Sequence, residues 1–425
     1  FIQLTKARRK PMRYGLIGEK LSHSFSKEIH EQLAHYSYEL CEIAPDELSS
    51  FLEKREFSAI NVTMPYKKAV IEHLDCISGE ALTLQTVNTV INRVGKLYGY
   101  NTDYLGMRDM IIKNGVSLAG KKVLILGTGG TSRTSALVAK NLGAREVLLV
   151  SREKKAGAID YAEAYYLHSD TQVIINATPV GMYPDSYSSP IDISGFVSLE
   201  AVFDAVYNPL RTSLVLDAKE KGICAEAGLY MLVSQAVHAI EHFIDTEFED
   251  NVVNGTFDKI SKQKENIVLI GMPSCGKTTV GELLAKELDR KLIDLDTEIE
   301  KRIGCTIAEY FKTHSEKEFR DIESFVTAEI SKKNGVIIST GGGCILRSEN
   351  VRALRSNGRL YFIDRSLKNL IPTDSRPLAS KISDIERLYG TRYSIYTSVC
   401  DARIDGDLTP TEESNLIREE FYSKR

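Results

Sequence analysis

Short, nearly unbroken apolar runs recur along this chain, separated by stretches in which apolar residues return every three or four positions. RYGLIG, AINVTM, KVLILG, EVLLV, QVIINA, AVFDAV, NIVLIG, GVIIST and RLYFID are short β-rich runs, and each reads as a strand, KVLILG as a buried one. GLYMLVSQAVHAIEHFI, residues 228–244, keeps a helical period throughout and reads as one long amphipathic helix. Strands alternating with helices in this way predict α/β domains with mostly parallel sheets. No repeat of 20–50 residues and no low-complexity tract interrupts the pattern.

The pattern also places boundaries. Residues 248–265, FEDNVVNGTFDKISKQKE, are polar, contain an Asn-Gly step and precede a fresh strand, so they are expected to form a linker. A softer boundary falls at KNGVSLAG, residues 113–120. The expected division is a first domain over 12–112, joined by a returning helix at 228–247, a second over 113–227, and a third over 266–425. A length of 425 residues suits two or three domains. FIQLTKARRKP, which ends before Met12, lacks the apolar segment of a signal peptide and reads as a leading linker.

Composition narrows the partners. Apolar content is 43%, charged content 26% and net charge −4, with no basic block beyond KARRK. Neither a nucleic-acid footprint nor a polybasic membrane anchor is expected. The longest apolar runs fall far short of the ~20 residues that cross a bilayer. Seven cysteines are scattered without a CxxC pair, which reads as reduced thiols in a cytoplasmic enzyme. Cys275 and Cys344 are expected to be small space-fillers beside glycine loops.

Two glycine loops carry the chemistry. In KKVLILGTGGTSR, Gly127, Gly129 and Gly130 follow a buried strand and open a helix, so backbone N–H groups can approach a pyrophosphate. The next strand, EVLLV, ends in SREKK, where an NAD site would carry an acid for the ribose 2′-OH. Ser151 and Arg152 stand there instead, with Lys154 and Lys155 close by, which favours NADP; the plainer reading is a solvated charge run containing Glu153. The second loop, GMPSCGKT at 271–278, fits GxxxxGK[ST] in full between the strand NIVLI and the helix TTVGELLAKEL. Gly271, Gly276, Lys277, Thr278 and Thr279 are its nucleotide-binding candidates, with the Thr278 hydroxyl on Mg²⁺. The absence of NKxD and the ~160 residues that remain suit a small kinase.

KLSHSFS (20–26), INVTMPYK (60–67), VNTV (87–90), GYNTDYLG (99–106), INATPVGM (175–182), DAVYNP (204–209) and LVSQA (232–236) stand in one order around the first glycine loop. In that order they closely resemble shikimate dehydrogenase over about residues 12–250. Carbonyl reduction needs a hydride donor and a proton donor at the developing alkoxide. Lys67 is the candidate proton donor and Asp103 the carboxylate that orients it; the plainer reading is a surface lysine and an aspartate helix cap. The resemblance makes Lys67 the acid/base with Asp103 as its partner. It also implies that Ser24 and Ser26 bind the substrate carboxylate. Thr63, Asn88, Tyr207 and Gln235 would be further substrate contacts, and Asn176 and Thr178 would lie near the cofactor. Alone, each of these would more often be a turn, cap or surface polar residue. Lys27 stands where the family motif has proline, so a looser turn is expected. Only about 20 residues separate SREKK from INATP, around half the family's usual length. A trimmed cofactor domain lacking one crossover helix is therefore expected.

LIDLDTEIE (292–300), EFRDIE (318–323), STGGG (339–343), SRPLAS (375–380) and RYSIY (392–396) together resemble shikimate kinase over about residues 264–425. The resemblance implies that Asp294 supports the Mg²⁺ shell and that Asp296 binds the accepting hydroxyl and takes its proton. Arg320 and Arg392 would clamp the shikimate carboxylate, with Gly341, Gly342 and Gly343 in close backbone contact. Arg376 would swing in with a short lid to stabilise the transferring phosphate. The plainer alternatives are a helix-capping aspartate, a surface Arg320–Glu323 pair and a merely tight loop. RYSIY is expected to open a late helix, with Ser394 in place of the family's proline.

The resulting expectation is a shikimate-dehydrogenase-like substrate domain plus a Rossmann NADP domain, followed by a P-loop kinase domain with a parallel sheet. Its substrates would be 3-dehydroshikimate and shikimate, and its cofactors NADP(H), ATP and Mg²⁺. The alternatives are a quinate/shikimate dehydrogenase fused to a regulatory nucleotide-binding domain, and an inactive scaffold.

Overall fold

The continuous apolar runs become the central strands of three sheets. The computed structural model describes residues 13–21, 25–153, 157–372 and 381–423. Ser24 of the carboxylate motif, Lys154, Lys155 and Arg376 with its SRPLAS segment lie outside them.

The first sheet contains β1 (Tyr14–Gly18), β2 (Glu39–Glu42), β3 (Ala59–Val62), β4 (Cys76–Ile77), β5 (Thr89–Arg93) and β6 (Lys96–Tyr100). Their order is β2-β1-β3-β5-β6-β4. This sheet is mixed: β2-β1-β3 run parallel, whereas β3-β5-β6 run antiparallel. The antiparallel part comes from a hairpin whose two turn residues, Val94 and Gly95, both have positive φ (52° and 80°). A two-residue turn of that hand matches the twist of its strands.

The second sheet is wholly parallel: β7 (Lys122–Leu126), β8 (Glu146–Val150), β9 (Ala158–Ile159), β10 (Val173–Asn176), β11 (Ala201–Asp204) and β12 (Cys224–Glu226). Its order, β12-β11-β10-β7-β8-β9, reverses direction between β7 and β10. Alternate residues feed separate cores on its two faces. Val123, Ile125, Val173 and Ile175 enter one, and Leu124, Leu126, Ile174 and Val202 the other. Residues 151–157 link β8 to β9 with no helix among the described residues, and a single short helix, Tyr161–Leu167, leads on to β10. The shortened spacing is thus expressed as a missing crossover helix.

The third sheet, also wholly parallel, contains β13 (Asn266–Ile270), β14 (Leu292–Asp294), β15 (Ile337–Ser339), β16 (Gly358–Asp364) and β17 (Ala402–Asp405) in the order β14-β15-β13-β16-β17. All residues of β13 and β16 are buried.

The chain divides into two compact units. One comprises residues up to Ile260, except 183–187 and 209–213; the other comprises those two segments and residues 261–425. Segment 209–213 is tied into the second unit by Arg211, which donates to Glu265 (2.8 Å) and to the carbonyls of Arg355 (2.8 Å) and Gly358 (2.9 Å). The stretch 248–265, expected as a linker, is instead largely the helix Asn251–Lys264. Thr256 and Ile260 are buried, Phe257 packs edge-on against Tyr230 at 5.1 Å, and Asn254 accepts from the Tyr230 hydroxyl. Apolar contacts at helical spacing outweigh the ~1 kcal/mol cost of Gly255 in a helix interior. The long helix expected at 228–244 spans Leu229–Ile244. Among the described residues no helix is long and apolar enough to cross a membrane.

Candidate functional sites

Lys67 is fixed from both sides along the backbone. Tyr66 is buried and donates its hydroxyl to the carbonyl of Ile43, while the carbonyl of Lys67 accepts from Val87 N at 2.8 Å. The Lys67 ammonium lies 2.5 Å from Asp103 Oδ2. Asp103 is in the first turn of the helix Thr102–Lys113, where the helix dipole favours a carboxylate. The capping residue is Asn101, whose side chain accepts from Tyr104 N, so Asp103 is free of that task. Asn88 fixes the other carboxylate oxygen: its Nδ2 donates to Asp103 Oδ1 at 3.0 Å, and its Oδ1 accepts from Thr102 N at 2.8 Å. Gln235 joins the cluster, its Oε1 lying 3.4 Å from Asn88 Nδ2 and from Thr102 Oγ1. One network therefore holds Lys67, Asp103, Asn88 and Gln235.

Thr63 directly follows β3, and its N–H reaches the carbonyl of Ile17 at 2.9 Å. Gly18 permits this approach, since a Cβ there would lie 2.6 Å from Thr63 Cγ2. Ser26 is the buried first residue of the helix Ser26–Leu33, and its neighbour Phe25 packs on the Tyr207 ring at 5.4 Å. Lys27, in place of proline, lies 3.8 Å from Glu31 one helical turn on.

The first glycine loop sits at the reversal point of the second sheet, where open parallel sheets bind ligands. Gly127 has φ +106°, and a Cβ on it would meet Ser132 Oγ at 2.9 Å and Thr178 Cγ2 at 3.0 Å. Gly129 and Gly130 face open space at the start of the helix Gly130–Asn141. Ser132 Oγ is buried with no hydrogen-bond partner, and it stands in the helix's first turn. An open backbone approach, a helix N-terminus and an orphaned hydroxyl fit a pyrophosphate. Arg152 is exposed just past β8, near enough to Tyr161 to hold down the phenol pKa that burial raises.

Asn176 is the last residue of β10 and stands at the start of the loop that carries Thr178. It is fully buried, donating to Asp204 (3.0 Å) and accepting from Thr178 N (3.0 Å) and Oγ1 (2.7 Å). Its amide is spent on shaping the loop, which leaves Thr178 as the residue presented at Gly127.

In the second unit, β13 runs into a loop with Gly271 at φ +150° and Gly276 at φ +98°, then the helix Lys277–Leu288. Lys277 Nζ donates to the carbonyls of Gly271 and Met272, both at 2.9 Å, so its ammonium is already curled over the loop. Thr278 donates to Asp294 Oδ2 at 2.9 Å and lies 3.3 Å from Ser339 Oγ, while Thr279 is exposed. Asp294 Oδ1 accepts from Thr297 N, so this aspartate caps a helix and supports Thr278 together. The loop's glycines, ammonium and hydroxyl–carboxylate pair fit a nucleotide triphosphate with Mg²⁺.

The glycine triplet supplies the floor beside it. A Cβ on Gly341 would sit 2.6 Å from Asp296 Oδ1, and one on Gly343 would sit 2.3 Å from Arg320 Nη2. Arg320 is buried, not a surface residue; it pairs with Glu323 (2.8 Å) and Glu316 (3.1 Å), and its Nε has no partner. Burial pushes the Glu323 carboxyl pKa up, against the pull of Arg320. Arg392 lies within the helix Ile382–Val399, not at its start, and donates to the Gly342 carbonyl at 3.0 Å. The Tyr396 hydroxyl, one turn on, reaches the carbonyls of Gly342 (2.5 Å) and Gly271 (2.9 Å), joining the triplet to the phosphate loop. Its spacing of four from Arg392 was the available sequence signal. Arg365, with Nε on the Gly406 carbonyl (2.9 Å) and Nη1 3.9 Å from where a Gly276 Cβ would be, also escaped sequence reasoning.

These features define a two-domain oxidoreductase with a dinucleotide loop, joined in one chain to a P-loop phosphotransferase. Family comparison narrows both. The shikimate dehydrogenase substrate binding domain matches residues 16–90, and shikimate kinase matches residues 273–420. A shikimate dehydrogenase (NADP(+)) of Clostridium perfringens is 35% identical over 261 residues, spanning 56% of this chain and 96% of that protein. A shikimate kinase of Caldicellulosiruptor bescii is 46% identical over 154 residues, spanning 34% of this chain and 89% of that protein. Among solved structures, a chorismate mutase/shikimate 5-dehydrogenase fusion protein from Clostridium acetobutylicum is similar with a TM-score of 0.56 and 33% identity, covering 60% of this chain and 98% of that one. The chain belongs to the shikimate dehydrogenase family in its N-terminal part and to the shikimate kinase family in its C-terminal part.

Proposed function

We propose that the chain reduces 3-dehydroshikimate to shikimate with NADPH and then phosphorylates the shikimate 3-hydroxyl with ATP. It is a bifunctional enzyme of the shikimate pathway, NADP-dependent in its first activity. The observation that carries the site assignment is the Lys67–Asp103 contact, held by Asn88.

In the reduction, Lys67 gives its proton to the alkoxide forming on the substrate, and Asp103 keeps the ammonium aimed. Asn88 and Gln235 face the ring hydroxyls, with Thr63 just past β3 as a further substrate contact. Ser24 and Ser26 are assigned to the substrate carboxylate, and Tyr207, whose ring packs on Phe25, to a further substrate contact. Gly127, Gly129, Gly130, Thr178 and Arg152, with Asn176 shaping the loop, would hold NADPH, which would supply the hydride. Residues 12–112 with the helix of 228–247 are assigned to the substrate domain, and 113–227, apart from segments 183–187 and 209–213, to the dinucleotide domain.

In the phosphorylation, Arg320 and Arg392 grip the carboxylate over Gly341–Gly343, and Asp296 receives the proton of the accepting hydroxyl. Arg376 is assigned to the transferring phosphate. Lys277, Gly271, Gly276, Thr278 and Thr279 hold the nucleotide, and Thr278 with Asp294 would hold Mg²⁺, which neutralises charge on the phosphate oxygens. The net charge of −4 and the scattered cysteines support a cytoplasmic enzyme of small-molecule substrates that does not act on nucleic acid. A Lys67→Ala chain tests the division of labour: dehydrogenase activity is lost and kinase activity kept. Loss of both would contradict it.

A further inference from the structure

Among the described residues, the polar contacts of Gln235 outside its own helix are all long. Its contacts to Asn88 and Thr102 are long, at 3.4 Å, and its Nε2 bonds only to the carbonyl of Leu232 on its own helix. The position of its amide is therefore set by where the helix Leu229–Ile244 lies against the helix Thr102–Lys113. Two features fix that packing. At Gly106 the helices are in backbone contact: a Cβ there would sit 2.5 Å from the Met231 carbonyl and 3.1 Å from Gln235 Cβ. One turn further, Asp109 Oδ2 accepts from Ser234 Oγ at 2.7 Å and from His238 Nε2 at 2.8 Å. His238 Nδ1 meets Glu241 Oε2 at 2.7 Å, and Asp109 Oδ1 accepts from Arg108.

Both ring nitrogens of His238 thus face carboxylates, an arrangement that favours the imidazolium. Burial opposes that charge, and the bonds to Asp109 and Glu241 outweigh it. Gly106 and Asp109 lie on one face of their helix, and Met231, Ser234, Gln235 and His238 on the facing stripe of the other.

We propose that Gly106 and the Asp109–His238 bond are positioning elements for Gln235, setting the affinity of the dehydrogenase site for its hydroxylated ring substrate. Neither touches the substrate; both act through the distance between the two helices. The inference rests on Gln235 being a substrate contact.

The test is steady-state kinetics of the full chain with 3-dehydroshikimate and NADPH, for His238→Ala, His238→Gln and Gly106→Ala. His238→Ala raises KM for 3-dehydroshikimate about fivefold or more, a change of ~1 kcal/mol. It leaves kcat within twofold and KM for NADPH unchanged. His238→Gln keeps an N–H for Asp109 and recovers most of the affinity. Gly106→Ala raises the same KM further, and kinase KM for shikimate stays constant in all three. Unchanged dehydroshikimate KM in His238→Ala overturns the proposal, as does a parallel loss of kcat and NADPH affinity. A wild-type chain inactive on 3-dehydroshikimate would overturn the functional reading instead.

Discussion

Asp294 receives the Thr278 hydroxyl on one oxygen, at 2.9 Å, and caps the helix Leu295–Ile303 with the other. The two tasks separate by charge. Asparagine is as good a helix cap as aspartate but carries no charge for a metal shell. Asp294→Asn is therefore expected to unfold at the wild-type temperature while its kinase needs ~10–100-fold more Mg²⁺ for half-activation. Titration of kinase rate against Mg²⁺ checks this; an unchanged Mg²⁺ requirement leaves Asp294 as a cap alone.

Arg152 stands exposed after β8, where an acid would face a ribose hydroxyl. A charge-assisted bond to a 2′-phosphate is worth ~1.5–3 kcal/mol. Arg152→Ala should raise KM for NADPH about 10- to 100-fold and leave that for NADH nearly constant. Equal changes for both nucleotides would count against it.

Glu413 is buried, and its Oε2 has no hydrogen-bond partner. Burial pushes its pKa up to about 7, Arg365 pulls it back, and Asp405 and Asp407 add to the rise. Its folded pKa thus lies above the ordinary value of 4.5. The stability it contributes is complete below that value and lost as pH rises through 7. Between pH 5 and pH 8 the wild-type unfolding temperature should fall relative to Glu413→Gln, which lacks the titration. Parallel curves for the two chains would contradict the assignment.

Much of the framework was legible because parallel strands buried on both faces leave continuous apolar runs, as in KVLILG and NIVLIG. Edge strands leave no such trace: β2 is ELCE, β12 is CAE and β17 is ARID. The hairpin of β5 and β6 escaped because its turn uses Val94, not asparagine, at positive φ. Lys67, Asp103, Lys277 and Asp294 were visible through residue type and motif spacing. Asn176 fits the same motif logic, yet its amide is turned inward to Asp204, a partner 28 residues away that no local pattern announces. Gly106, Asp109 and His238 matter through helix packing, which sequence spacing alone does not reveal.

The Asn-Gly step at 254–255 favours a linker only on local pattern. In the structure Gly255 is helical, its φ is not positive, and a Cβ there meets nothing within 4 Å. Gly255→Ala is expected to raise stability by about 0.5–1 kcal/mol. Denaturant unfolding checks this; a loss of stability would mean that the segment is not helical in solution.

The central claim is that one chain performs two consecutive reactions on one ring acid. Incubation with 3-dehydroshikimate, NADPH, ATP and Mg²⁺, with products identified by mass, tests it most directly. The account predicts shikimate 3-phosphate from the complete mixture, shikimate when ATP is omitted, and neither when NADPH is omitted. Recovery of unreacted 3-dehydroshikimate from the complete mixture, or of shikimate that ATP never converts, would contradict it.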